Sequence, residues 1–307
     1  MPLVTQRAQI AAKVEASEGT AESLSASEAI LAGAWEFEPE IAMTARPAAS
    51  ASLSPFPRVA GGRRAKVSFA VEVKGSGAAG TAPEVSALLR GCGFSETVEA
   101  GVSVAYAPAS SSIPSLTIGA YCDGKRYLLA GARGTVKIDM KAGEPAQYAF
   151  EFTGTSIVDA DVALLSPTYD STVPPAFMSA SLALDSQAAV VETVGIDLAN
   201  SLYLRPSANA AQGFVSAVIT GREPKLTLNP EDVLVADHDW WAQWESGAFV
   251  AFTATLGSDA GNICTITAPA VQISTMKPAD REGILIQEME CLLAGDNGDD
   301  ELVLTFS

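Results

Sequence analysis

The sequence predicts a mainly β protein made of two tandem antiparallel domains of the β-sandwich or barrel-like kind. Each domain carries one short helix, and an N-terminal helical and extended arm precedes them. In the longest alternating run, Val67, Phe69, Val71 and Val73 share one face and polar residues take most positions between them. A period of two is typical of a strand with one buried and one solvent-exposed face. The dipeptides Asp123-Gly124 and Asn297-Gly298 are typical of tight β-hairpin turns.

The same alternation predicts further strands along the chain. Its apolar positions are Val136/Ile138/Met140, Tyr148/Phe150/Phe152, Leu182/Leu184, Leu226/Leu228, Ile263/Thr265 and Leu302/Leu304/Phe306. One short helix is predicted over residues 83–90, with a proline at its start and glycines after it. A second is predicted within residues 229–246, opening at Asn229-Pro230 and ending at Gly247.

The N-terminal region has a different pattern. Residues 5–33 predict one or two short helices, because Ser25 and Glu28 have the spacing of a capping box and the segment ends at Gly33. Residues 39–62 contain several prolines and no period, which predicts an extended arm or long loop.

A domain division follows from these segments. The helical segment and arm occupy residues 1–62, the first β domain residues 63–164, and the second β domain residues 178–307. Residues 165–177 are rich in proline and predict a linker. The halves share this plan of several strands and one helix, which indicates a duplication without residue-level repetition.

Composition excludes several classes of protein. Hydrophobic residues make up 48% of the 307 residues, so the chain can bury a sizeable core and is not disordered by composition. The net charge of −17 argues against tight binding to nucleic-acid phosphates. The four cysteines are far apart and predict buried or half-buried free thiols. The N-terminus lacks the apolar core of a signal peptide and no apolar run reaches membrane-spanning length, so we expect a soluble protein made in a reducing cytoplasm, without a membrane partner.

Three motifs suggest chemistry, and each has a simpler interpretation. Gly75 to Gly80 spell G-x-G-x-x-G, but the strand before them is only half-buried and the next helix is short and opens with proline, so a small-residue loop is favoured over a nucleotide site. His238 is the single histidine, and we expect it partly exposed in or beside a helix. The acidic run 296–301 has the wrong spacing for an EF-hand and predicts a solvated turn. No catalytic residue, cofactor or metal site is therefore predicted.

The tryptophans of the second helix predict packing and contact. Trp240 and Trp244 share one helix face, which favours packing on a sheet over a carbohydrate-stacking platform. Trp241 points elsewhere and is a candidate subunit contact.

Several short motifs of the chain resemble the tail tube proteins of long-tailed phages and prophages. In the C-terminal third they are Leu228-Asn-Pro-Glu-Asp-Val, Trp240-Trp-Ala-Gln-Trp244, Gly261-Asn-Ile-Cys-Thr-Ile-Thr-Ala-Pro-Ala270, Asp280-Arg-Glu-Gly-Ile284 and Asp299-Asp-Glu-Leu-Val-Leu-Thr-Phe-Ser307. In the first half they are the segments 46–57, 75–83 and Ala132-Arg-Gly-Thr-Val136. The resemblance covers most of residues 35–307, and no motif in it is a catalytic signature.

This resemblance implies a structural virion protein, made in the host bacterial cytoplasm, whose sheets join those of neighbouring copies around a central channel. The resemblance further implies that stacked rings form a tube through which DNA passes as transient, non-specific cargo. Two such domains in one chain imply a homotrimeric ring with pseudo-sixfold symmetry, in contact with other tail proteins. An acidic channel wall would let DNA slide. The candidate assembly-interface residues are Arg46, Pro47, Leu53, Pro55, Phe56, Pro57 and Arg58 in the arm, and Trp241.

Three alternatives stay open on the sequence. The first is another phage particle component, such as a tail terminator, a decoration protein or a baseplate protein. The second is a carbohydrate-binding β-sandwich module, which rests on the tryptophans. The third is a nucleotide-dependent enzyme, which rests on the glycines of residues 75–80.

Overall fold

The protein is a strand-rich molecule in which helices are minor elements. The computed structural model describes residues 2–48, 50–185 and 187–307. The strands are β1 Ala8–Val14, β2 Ala29–Ile30, β3 Trp35–Thr44, β4 Val59–Glu72, β5 Phe94–Glu99, β6 Ser103–Pro108, β7 Leu116–Cys122, β8 Lys125–Lys141, β9 Gln147–Asp161, β10 Ala183–Leu184, β11 Val191–Asp197, β12 Asn200–Pro206, β13 Phe214–Arg222, β14 Lys225–Pro230, β15 Val250–Leu256, β16 Cys264–Arg281, β17 Ile284–Ala294 and β18 Val303–Phe306. The helices are α1 Ser86–Gly91 and α2 Trp240–Ser246, with a 3-10 turn at Ala26–Glu28. The predicted mainly β fold is confirmed.

Eight strands from both halves of the chain form one continuous antiparallel layer. Their spatial order is β3-β4-β9-β8-β11-β14-β17-β16. The halves meet where β8 pairs with β11 over five residue pairs, from Lys137↔Asp197 to Lys141↔Thr193. Three prolines lie in the outermost strands, Pro39 in β3 and Pro269 and Pro278 in β16. Edge strands tolerate proline because one row of their N–H groups lacks a ladder partner.

The two halves of this layer repeat one order of strands. In the first half, β3 and β4 lie side by side. The β8–β9 hairpin follows in space, with β9 next to β4 and β8 beyond it. The second half has the same arrangement. Strands β11 and β14 lie side by side, and the β16–β17 hairpin follows with β17 next to β14 and β16 beyond it. The predicted linker at residues 165–177 has no regular secondary structure apart from an isolated bridge at Ala176. The predicted division into two domains stays a prediction, while the duplicated order agrees with a shared plan.

Further strands extend from the two long strands β8 and β16. The N-terminal part of β8 pairs with β7, which carries β1 and β2. The N-terminal part of β16 pairs with β15 on one side and with β18 on the other, and β18 continues to β6 and β5. A separate two-stranded ribbon is formed by β12 and β13. Strands β8 and β16 therefore occupy equivalent places in the two halves.

The core lies against one face of the eight-stranded layer. Phe69, Phe150 and Phe152 pack with ring centroids 5.8–6.1 Å apart, at the distances that aromatic pairs favour. The same buried cluster includes Ile138, Ile196 and other side chains of the second half. Helix α1 packs on it closely, because a side chain at Gly91 would collide with Leu116 and Phe152.

Ion pairs between neighbouring strands line the part of the opposite face of the layer that is exposed to solvent. They are Lys66–Glu151 (2.7 Å), Lys137–Asp197 (3.0 Å), Lys225–Glu290 (3.0 Å) and Lys277–Glu288 (2.6 Å). Each pair is exposed, so each contributes little to stability. Their combined effect is to place a carboxylate beside each of these lysines.

The predicted N-terminal helices are wrong. Residues 8–14 form strand β1, which pairs along its whole length with β7. The capping box at Ser25 and Glu28 exists, but it caps only the 3-10 turn. The alanine-rich segment has helix propensity, and the β7 partner overrides it.

Four further predictions need correction. Residues 39–44 and 59–62 belong to strands β3 and β4, so the predicted arm is a hairpin whose loop is residues 45–58, of which residue 49 lies outside the described residues. Helix α2 begins at Trp240, not at Asn229, because Asn229 and Pro230 end β14. The first buried positions of β16 are Cys264 and Ile266, so the buried face is shifted by one residue from the predicted Ile263/Thr265.

The fourth correction concerns Asn297-Gly298, which does not join two paired strands. Ala294 of β17 pairs with Ala270, and Val303 of β18 pairs with Thr267, so both strands run along the same side of β16. Residues 295–302 are therefore a loop inserted into one interrupted strand. By contrast, Asp123-Gly124 does form the predicted hairpin turn, with φ of 45° and 96°.

Candidate assembly surfaces

The β3–β4 hairpin continues past its ladder with β9 as an arm. Strand β9 supports β4 only as far as Arg64, which pairs with Thr155. Beyond that point β4 pairs with β3 alone. The apolar side chains Ile41, Met43 and Val59 of this two-stranded segment are about half-exposed. A two-stranded ribbon of this kind is marginally stable alone, so contact with another surface would stabilise it.

The base of the arm is anchored to the body. Within the hairpin, the Arg64 guanidinium of β4 donates two hydrogen bonds to the Glu40 carboxylate of β3, at 2.7 and 2.9 Å. The Arg63 amide donates to the Gln212 carbonyl in the β12–β13 turn (2.8 Å). Gly62 lies so close to Phe214 that a side chain there would collide with the ring. The arm therefore leaves the body in a defined direction.

The structure places the predicted interface residues in two separate regions. Seven of them, Arg46, Pro47, Leu53, Pro55, Phe56, Pro57 and Arg58, lie in the exposed loop of the arm. Trp241 is 51% exposed on α2, which packs on β16 at the other lateral edge of the layer from β3. Trp240 is buried and Trp244 packs partly against the core, as their shared helix face predicted. The role of all eight residues in assembly stays a prediction.

A second exposed surface was missed by the sequence reasoning. The Asp232 amide donates to the Leu285 carbonyl (2.9 Å), which joins the loop after β14 to the β16–β17 turn. Val233, Leu234, Val235, Ile284 and Leu285 are 46–75% exposed there. We call these five residues, with the acidic Asp237, Asp280 and Glu282 beside them, the far-end patch. The signal available in the sequence was the apolar run 233–235 among acidic residues.

The outer strands of the eight-stranded layer expose two free edges. On the side away from β9, β8 pairs first with β7 and then, through residues 137–141, with β11. On the equivalent side of β16, residues 264–271 pair with β15, and residues 272–281 pair with no strand among the described residues. Strand β3 has β4 as its only partner in the same part of the chain. Free edges of this length are sites for pairing with another chain.

The G-x-G-x-x-G segment is a packed loop. The Gly77 amide donates to the Gly261 carbonyl (3.0 Å), and the Gly75 amide donates to the Asn262 side chain (2.8 Å). Side chains at Gly75, Gly80 and Gly261 would each collide with backbone atoms. The glycines thus allow close approach to neighbouring loops, and the amides of Gly75 and Gly77 are used within the protein.

The other two motifs also have structural roles. His238 lies half-buried two residues before α2, with its ring 3.9 Å from that of Trp240. In the acidic run, the Asp300 carboxylate accepts hydrogen bonds from the amides of Asp296 and Asn297, both at 3.0 Å. Within the described ranges, no group of three or more histidine, cysteine or acidic side chains is arranged to hold a metal ion.

The cysteines are free thiols, three of them buried and Cys122 half-buried. Burial raises the pKa of Cys264 and of Cys291 to about 12, so these thiols are protonated and unreactive near neutral pH. Neither helix of the described residues has the length and apolar composition needed to span a membrane.

Comparison with known families gave a match over nearly the whole chain. The sequence profile of a family described as phage tail tube protein matches residues 5–291. No curated protein matches the sequence.

Proposed function

The chain belongs to the phage tail tube protein family, and on that premise we propose that it polymerises into stacked rings that form the channel for DNA passage. The family is one of structural proteins of the phage tail. Ring formation, a trimeric ring and DNA passage are the parts of the proposal that go beyond family membership.

One observation supports ring closure above the others. The two halves repeat the same four-strand order, and inside the chain they join through β8 and β11. The equivalent strand of the second half, β16, has a free edge over residues 272–281, and the equivalent of β11, which is β3, is free on its outer side. We propose that β16 of one copy pairs with β3 of the next copy, as β8 pairs with β11.

This contact is head-to-tail, since it joins two different edges of the same subunit. Head-to-tail contacts that close make rings, and closure removes every free edge from the layer. With two equivalent four-stranded units in each chain, three copies make a ring with pseudo-sixfold symmetry.

The solvent-exposed face of the layer is the candidate wall of the channel. Four of its lysines lie within 3.0 Å of a carboxylate on a neighbouring strand, namely Lys66, Lys137, Lys225 and Lys277. Glu36 and Glu38 of β3 extend the same face, because they lie opposite Ser68 and Lys66. A wall with neutralised lysines and extra carboxylates would repel DNA phosphates and leave the cargo free to slide.

Hydrogen exchange and electron microscopy test the proposal together. We expect concentrated protein to form tubes whose top views show pseudo-sixfold symmetry. Backbone amides of residues 35–41 and 272–281 that point away from β4 and β17 should exchange quickly in the dilute chain and slowly in tubes. The amides of the β8–β11 junction, protected in both states, are the internal control.

Other outcomes would contradict it. Tubes in which the two edges exchange as quickly as in the dilute chain would refute the edge pairing. Closed single rings that never stack would favour a tail terminator over a tube subunit.

A further inference from the structure

The arm carries positive charge that is not paired with carboxylates. No aspartate or glutamate occurs between residues 41 and 63, whereas Arg46, Arg58 and Arg63 do. All three arginines are exposed, and none has an ion-pair partner among the described residues. Leu53 and Phe56 add exposed apolar surface to the same loop. The arm therefore presents an apolar, cationic surface on a chain whose net charge is −17.

The far-end patch has the complementary composition. Its five apolar side chains are exposed, and Asp237, Asp280 and Glu282 are exposed beside them. These three carboxylates have no ion-pair partner in the part of the chain that the structure describes. The nearby Arg281 is already used, since its guanidinium donates to Glu231 at 2.8 Å. The patch is thus apolar and anionic.

The two surfaces lie at opposite ends of the strands. The register places Thr44 and Val59, the last pair of the β3–β4 ladder in the arm, at the same end as the start of β8 and the start of β14. The β16–β17 turn lies at the other end, with the end of β14. An arm and a patch of the same chain therefore face in opposite directions along the strands.

We propose that the arm of one copy docks on the far-end patch of a second copy in the adjacent ring. This inference rests on the proposed tube, and it names the surfaces through which rings stack. Because the arm and the patch are different surfaces at opposite ends, their contact repeats without closing and produces an open filament.

Apolar and charged groups have different parts in this contact. Burial of Leu53, Phe56 and the apolar patch residues supplies attraction, which is roughly proportional to the area removed from water. The arginines and carboxylates set the approach and the register of the docked arm, because complementary charge acts mainly on association rate and specificity. Stacking should therefore slow as salt is raised.

Charge exchange tests the contact. We expect the variant Arg46→Glu/Arg58→Glu to stack about tenfold more slowly or not at all, and the variant Asp237→Arg/Glu282→Arg to behave likewise. The chain that combines all four substitutions has the wild-type net charge, and we expect it to form tubes again. Asp259→Arg, an exposed acidic position in the β15–β16 loop, is the matched control and should leave stacking unchanged.

A cross-link provides a second measurement. In tubes of the variant Leu53→Cys/Leu234→Cys, a mild oxidant should produce ladders of linked chains, whereas the dilute chain should stay monomeric. Leu53→Cys/Val173→Cys, with the second thiol at another exposed position, is the control and should give no ladder.

The outcomes separate this inference from the proposed function. If the wild-type chain forms tubes and Arg46→Glu/Arg58→Glu stacks normally, the docking is overturned while the tube stands. The same holds if the wild-type chain forms tubes and the combined chain does not recover. Absence of tubes from the wild-type chain at any concentration would instead overturn the proposed function.

Discussion

Replacement of Arg222 should detach the loop inserted between β17 and β18 from the body of the protein and lower its stability. The Arg222 guanidinium donates hydrogen bonds to the carboxylates of Glu301 and Asp299 in that loop and, at 2.9 Å, to the Ala109 carbonyl after β6. Burial alone would lower the pKa of Arg222, but the bonds to Glu301 and Asp299 outweigh burial and hold the pKa above its usual value. Its charge therefore persists at any experimental pH.

The expected loss of stability follows from what the substitution leaves behind. The side chain of Arg222 is 16% exposed and that of Glu301 is 7% exposed. Arg222→Met keeps much of the side-chain volume but leaves the Glu301 carboxylate buried without a cation. Removal of one partner of a buried ion pair costs about 3–5 kcal/mol. Because the pair is not fully buried, we expect a loss of about 3 kcal/mol in the free energy of unfolding.

Urea unfolding of the dilute, unassembled chain measures this loss, since assembly would add its own stability. Glu301→Gln and the double variant complete a thermodynamic cycle. The double variant leaves no buried charge, so it should cost less than the sum of the single variants by about 1–3 kcal/mol. An Arg222→Met chain within about 0.5 kcal/mol of wild type, or strict additivity, would refute this account of the ion pair.

Four other substitutions or conditions have expected outcomes. Replacing residues 45–58 with a two-residue turn should leave a folded chain that does not form tubes in electron micrographs; normal tubes would refute a role for the arm. His238→Ala should leave tube assembly unchanged, and a loss would reveal an undetected role. Hydrogen bonds from a serine hydroxyl and an arginine hold the pKa of Asp299 below its usual value, so its contribution to stability is present above about pH 4 and lost as pH falls through the lowered pKa. Thermal unfolding should thus show a smaller acid-induced loss in Asp299→Asn than in wild type. Gly75→Ala should lower the unfolding midpoint clearly more than Gly221→Ala, whose added methyl group meets open space.

The sequence predicted those strands in which apolar and polar residues alternate along the strand itself. Strands β4, β8 and β9 have a buried face of large apolar residues, so a period of two is visible without knowledge of the partner. Strand β1 has no such signal, because alanines occupy its buried positions 11 and 12. Its conformation depends on the ladder with β7, which is about 100 residues away.

Of the assembly surfaces, only the loop of the arm was predictable from the sequence. The prolines and small residues of residues 45–58 indicated an exposed segment, and the structure places that segment at the tip of a hairpin. The far-end patch could not be recognised in advance, since Val233–Val235 and Ile284-Leu285 are about 50 residues apart and meet only through the β14–β17 ladder. The free edges of β3 and β16 likewise become apparent only from the complete strand order.

The internal β8–β11 junction has a consequence for the kinetics of assembly. Because both strands belong to one chain, this junction forms at folding and does not depend on protein concentration. In a ring of such chains, every second junction between four-stranded units is made in this way. Only the remaining junctions incur the entropic cost of bringing separate molecules together. A fused chain thus needs fewer encounters to nucleate a ring than a chain with a single unit, and should begin to polymerise at a lower concentration.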